Sequence, residues 1–83
     1  MWMESSNKLY GRTNNPYHLS RTAGGSSGGE GALVGTGISP IGLGADIGGS
    51  IRMPAFFNGV FGHKCSADLV SNEGQFPQAE NEA

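Results

Sequence analysis

The sequence predicts an α/β fold in which helix, strand, helix and strand follow one another. Three observations predict it. Two glycine-rich serine turns, at Ser26-Ser27 and at Ser50, each open into a stretch suited to a helix. Two short apolar runs, 41–45 and 60–64, lie between turn residues, as buried strands do. The order is a slice of a layered α/β arrangement.

The elements follow in chain order. Residues 1–22 are polar and turn-rich, and read as a loop-rich lead-in. Asn14-Asn15-Pro16-Tyr17 is a turn signal, because asparagine tolerates left-handed geometry and Pro16 fixes its own φ. The core spans 23–64. A helix is expected over 30–37, with Ser26 or Ser27 capping its start and Glu30 in the first turn. Pro40 stops it, and the first strand follows at 41–45. Asp46-Ile47-Gly48-Gly49-Ser50 breaks that strand. A second helix is expected over 51–57, where Pro54 is tolerable only in the first turn. The second strand is expected at 60–64. Residues 65–83 form a polar tail, and Glu80-Asn81-Glu82-Ala83 is expected to fray.

Composition limits what such a chain can be. Leu, Ile, Val and Phe together make 16 of 83 residues, just under the ~20% at which globularity becomes doubtful. Fifteen glycines add backbone entropy that folding must overcome. Cys65 is the single cysteine, so no internal disulfide compensates, and two separated histidines make no metal site. The chain therefore reads as a fragment of a single larger domain. A net charge of −2 with five scattered Lys and Arg gives no nucleic-acid footprint. No run approaches the ~20 apolar residues of a membrane span. Met1-Trp2-Met3 meets Glu4 without an apolar h-region, so no signal peptide is expected. Localisation and oligomeric state stay undetermined, and no cofactor is implied.

Three readings compete for the glycine-serine turns. A flexible linker suits the composition, but linkers do not open into a helix and recur one helix and one strand later. A phosphate cradle suits a glycine-rich helix start, yet the P-loop lysine is missing and Ser20-Arg21-Thr22 is a poor leading strand. Nucleophilic catalysis is the third. A tight turn at 46–50 leading into a helix exposes a serine hydroxyl, and N–H groups from Ile47 through Ser50 can converge on an oxyanion. The plain alternative for Ser50 is a helix N-cap, and the pattern alone does not separate the two. A base is also required. His18, in a polar loop, and His63, in an expected strand without an orienting carboxylate, are poor candidates for a Ser-His-Asp triad.

Gly24-Gly25-Ser26-Ser27-Gly28-Gly29-Glu30-Gly31, followed by Gly44-Ala45-Asp46-Ile47-Gly48-Gly49-Ser50-Ile51-Arg52-Met53-Pro54-Ala55, resembles the signature of the amidase-signature family. The flanks, Asn7 to Tyr17 and Phe56 to Lys64, resemble its fatty-acid amide hydrolase branch. The likeness runs from about Trp2 to Ala79. It implies a partial amidase-signature fold, a slice of a mixed sheet wrapped by helices. It also implies hydrolysis of a small-molecule amide through an acyl-enzyme. By position, Ser50 matches the nucleophile, and Ser26 matches a serine that relays a proton and follows a cis peptide bond. Gly25 is then the residue least hindered in that bond. Ile47, Gly48, Gly49 and Ser50 match the oxyanion hole, Ser27 supports the relay, and Asp46 and Arg52 brace the signature loop. Membrane association of the parent is open, with nothing in this chain that encodes it.

Two departures qualify the likeness. The family's catalytic lysine lies several dozen residues before the relay serine, where this chain has none; Lys8 is out of place. Lys64 matches a family lysine without a catalytic role. Cys65 and Ala67-Asp68 stand where the resembling proteins prefer proline and a Pro-Gly turn. The expectation is a nucleophile-bearing segment with negligible amidase activity alone. The alternative is a non-enzymatic truncated remnant or binding segment. A glycine-rich anion-binding module ranks below both.

Overall fold

Two asparagines reverse the chain at its start. In the computed structural model, which describes residues 2–76, Asn7 Oδ1 accepts the N–H groups of Leu9 at 3.0 Å and Tyr10 at 2.8 Å. This side-chain turn joins β1 (Ser6–Asn7) to β2 (Gly11–Arg12) in an antiparallel pair. Asn15 Oδ1 accepts Tyr17 N–H at 2.9 Å in the next turn. That turn joins β3 (Asn14–Asn15) to β4 (His18–Thr22), also antiparallel, with a register shift at Asn14/Asn15. The lead-in expected to be loop is thus two short hairpins. Its strands carry no apolar alternation, so only the Asn14–Tyr17 turn was visible in the sequence.

Both helices form. α1 covers Gly28–Gly35, two residues earlier at each end than expected, and α2 covers Arg52–Asn58. Pro54 falls in the first turn of α2, where its missing N–H has no intrahelical partner to lose. Gly59 ends α2 in the left-handed conformation, φ 69°, and Val60 N–H reaches Ala55 C=O at 3.0 Å. The helices approach closely because α1 presents glycine to α2. A Cβ on Gly31 would lie 2.8 Å from Pro54 Cβ, and one on Gly35 would lie 3.0 Å from Asn58 C=O.

Neither expected strand appears. Residues 41–46 and 60–66 are outside every helix and strand. A strand exists only with a hydrogen-bonded neighbour, and none of the described residues supplies one. Ala45 N–H instead donates to Ser27 Oγ at 3.3 Å. His63 consequently lies in no strand. The α/β class holds in its coarse form, two helices with two small antiparallel sheets, but the strands precede both helices instead of alternating with them. Residues 65–76 contain turns and bends only; the fraying expected at Glu80–Ala83 lies outside the described residues.

The interior is held largely by polar ties. Among the described residues, Ala23 and Ala55 are buried with Pro54, beside buried Asn15, Asp46, Ser50 and Asn58. Asn58 Nδ2 donates to Ala23 C=O at 2.9 Å and Pro54 C=O at 2.7 Å, tying α2 to the segment before α1. Asn15 Nδ2 ties the second hairpin to Phe57 C=O at 2.7 Å. Phe61, Leu43 and Phe56 remain exposed.

α1 is capped from outside itself. Ser27 occupies the N-cap position without a side-chain cap bond. Ser5, ahead of β1, supplies one: its Oγ accepts Gly28 N–H at 3.1 Å and donates to Gly25 C=O at 2.6 Å. Replacing it leaves Gly28 N–H and Gly25 C=O only their own longer contact, 3.3 Å. Ser5→Ala should lower stability by about 1 kcal/mol, read as a shift in the urea midpoint at unchanged slope.

Candidate active site

The turn at 46–50 is shaped by the carboxylate that opens it. Asp46 Oδ1 accepts Gly49 N–H at 2.7 Å, and Oδ2 accepts the N–H groups of Ile51 and Arg52, each at 3.1 Å. Arg52 reaches back with Nε to Oδ2 and Nη2 to Oδ1, both at 3.0 Å, in a bidentate pair. The Asp46 side chain is 1% exposed, whereas that of Arg52 is 56% exposed. A single carboxylate thus neutralises the open start of α2 and folds the turn around itself. Gly49, at φ 120°, takes a backbone geometry that a side chain would resist.

This geometry brings the two expected serines together. Ser50, 6% exposed, sits just before α2, and its Oγ accepts Ser26 N–H at 3.2 Å. The Ser50 hydroxyl proton has no protein acceptor among the described residues. Ser26 itself is exposed. Gly25 lies between them at φ 63°, where an added Cβ would stand 3.0 Å from Ser50 Cα. Ser27 faces residue 45, as the Ala45 contact shows, and a Cβ on Gly44 would meet its Oγ at 2.7 Å.

Of the four expected oxyanion donors, Gly49 N–H is already held by Asp46. Among the described residues, the N–H groups of Ile47, Gly48 and Ser50 donate to no protein acceptor. Neither histidine meets the serines. His18 Nδ1 shares a hydrogen bond with Ser20 Oγ at 2.8 Å on the exposed second hairpin, and His63 is exposed. Among the described residues, no three His, Cys, Asp or Glu side chains converge as a metal would require.

Two contributors were not anticipated. Lys64 Nζ stands 3.5 Å from Asp46 Oδ1 and donates to Ile47 C=O at 3.4 Å. No sequence signal placed it against the turn, because the contact depends on how 60–64 returns past α2. An open cleft of about 550 Å3 beside Ser26 is lined by the first hairpin and the residues ahead of it, including Trp2, Ser5 and Lys8.

A model of the family described as Amidase matches residues 1–82. The chain belongs to the amidase family. Its relatives include a fatty-acid amide hydrolase 2 of Homo sapiens, 67% identical over 79 residues, covering 95% of this chain and 15% of the relative. A fatty-acid amide hydrolase 2-A of Danio rerio is 63% identical over 82 residues, 99% of this chain and 15% of the relative. A fatty-acid amide hydrolase 1 of Sus scrofa is 54% identical over 71 residues, 86% of this chain and 12% of the relative. The chain therefore spans about a seventh of the length of these relatives. No solved structure matches it.

In this member of the amidase family the brace at Asp46 carries a pH signature. The Arg52 side-chain hydrogen bonds outweigh desolvation and, with three backbone N–H donors, hold the Asp46 carboxyl far below its ordinary value of 3.8. The same contact raises the Arg52 guanidinium. Folded Asp46 therefore resists the proton that unfolded Asp46 accepts. Its contribution is full above about pH 5 and declines as pH falls below about 4, toward the depressed folded value. Urea midpoints between pH 2 and pH 7 should show this acid limb, and Asp46→Ala should flatten it.

Proposed function

We propose that this segment carries the acyl-transfer centre of an amide hydrolase, with Ser50 as nucleophile and Ser26 as its proton relay. Ser50 Oγ attacks the amide carbonyl carbon while its proton passes to Ser26 Oγ, and from there to a base. The carbonyl oxygen becomes an oxyanion facing the N–H groups of Ile47, Gly48 and Ser50, while Gly49, whose N–H Asp46 holds, shapes the turn that presents them. Collapse breaks the C–N bond, and the amine leaves with a proton returned through Ser26. Water then hydrolyses the ester on Ser50. The single observation that carries this reading is the 3.2 Å contact from Ser26 N–H to Ser50 Oγ within a turn braced by Asp46. The relatives, named as fatty-acid amide hydrolases, favour a fatty-acid amide as substrate.

The base is the open position. Lys64 is engaged at Asp46 and Ile47, and Lys8 lies on the first hairpin. The 83-residue chain alone should therefore turn over amide negligibly, while remaining able to react with an activated probe. Labelling by a fluorophosphonate tests the nucleophile. Stoichiometric labelling that vanishes in Ser50→Ala supports the reading; labelling that survives Ser50→Ala sinks it. Amide turnover by the chain that disappears in Ser50→Ala would refute the need for an outside base.

A second reading, a binding segment without catalysis, is favoured by the small apolar interior of Ala23 and Ala55 beside an exposed Phe61. It expects no cooperative thermal melt and no labelling of the isolated chain.

A further inference from the structure

We infer that Lys64 is a positioning residue for the Ser50 turn, setting the peptide plane between Ile47 and Gly48 and through it the direction of Gly48 N–H. The inference rests on the acyl-transfer reading for its consequence, but its geometry stands independently.

The side chain of Asp46 and the residues that end the turn have their own ties. Asp46 is held by five hydrogen bonds, Gly49 by its N–H to Asp46, and Ser50 by Ser26 N–H. The Ile47–Gly48 peptide has none from within 46–52. Its carbonyl is met instead by Lys64 Nζ at 3.4 Å. A peptide unit is planar and its C=O and N–H point in opposite directions when trans. Holding Ile47 C=O toward Lys64 therefore turns Gly48 N–H away from Lys64, leaving it available to a ligand. Glycine at 48 offers no side chain to limit that rotation, so the restraint must come from a partner.

Lys64 is itself anchored. Its ammonium lies 3.5 Å from Asp46 Oδ1, the oxygen that also accepts Gly49 N–H and Arg52 Nη2. An ammonium has three donors and can serve the carboxylate and the carbonyl together. The side chain is 38% exposed, so its pairing with Asp46 is partly screened and adds little to stability. Its consequence lies in orientation. Misplacing an oxyanion donor is expensive: loss of one typically slows reaction ~100-fold or more.

Lys64→Met and Lys64→Arg test this on the full chain. The first readout is the amide resonance of Gly48 in a 15N-labelled sample; the second is the rate of fluorophosphonate labelling at Ser50. Lys64→Met should shift the Gly48 resonance while leaving those of Gly31 and Gly35 in place. It should slow labelling between about 10-fold and 100-fold, with probe affinity unchanged. Lys64→Arg keeps donors within reach of Ile47 C=O and should recover most of both. An unmoved Gly48 resonance in Lys64→Met overturns the inference, as does equal slowing by Met and Arg. Absence of labelling in the unsubstituted chain would count against the acyl-transfer reading, and the Gly48 resonance would still decide the role of Lys64.

Discussion

Asp46→Ala should remove about 3–5 kcal/mol of stability and at least a hundredfold of labelling at Ser50. The carboxylate satisfies three backbone N–H groups, one buried and two partly buried, and each left unpaired costs about 1–3 kcal/mol. A chain of this length commonly has only ~4–12 kcal/mol in total, so the loss takes a large share of it. The partner behaves differently. Arg52 is more than half exposed, and Arg52→Ala lets its end of the pair be replaced by water while the backbone donors keep their acceptor. That variant should cost no more than about 1 kcal/mol. Urea titrations of the two variants give the contrast directly. Equal losses would mean that the ion pair, not the backbone cradle, carries the effect.

Gly25→Ala should cost about 2 kcal/mol and slow labelling roughly a hundredfold. At φ 63° the residue occupies a region that costs an L-residue ~1–2 kcal/mol. Its new Cβ would also press on Ser50 Cα at 3.0 Å, which is backbone and cannot rotate aside. Ser50 must shift, and a displacement near 1 Å at a reacting atom costs on the order of 100-fold. Gly29→Ala is the control. Gly29 lies in α1 with nothing within 4 Å of its Cβ position, so that change should stabilise the chain by about 0.5–1 kcal/mol. If both variants lose labelling equally, the effect is not local to Ser50.

The role of Gly25 shows how sequence and structure divide the site. The resemblance placed Gly25 beside the relay serine as an unhindered residue. The structure adds its positive φ and its contact with Ser50, a residue distant in sequence. Ser27 divides similarly. It stands at the N-cap as local chemistry suggests, yet the cap bond comes from Ser5 and Ser27 turns to Ala45. A hydroxyl at a helix start is legible in sequence; which of several hydroxyls arrives there is decided by the path of the hairpins.

Much else was local and therefore readable. The Asn14–Tyr17 turn, both helices and the place of Pro54 depend on neighbours within a few residues. The strands at 41–45 and 60–64 were not. Their apolar runs are genuine, but a ladder needs a second strand, and none of the described residues lies alongside. Thus the sequence by itself determined the two glycine-serine turns, the helices they open and membership of the amidase family. Only the tertiary structure decided that Ser26 N–H meets Ser50, that Lys64 closes on Ile47, and that Gly49 N–H belongs to Asp46. Turns and helices are settled by dihedral preferences and near-neighbour hydrogen bonds. The site depends on approaches between segments far apart in the chain, and those follow from packing.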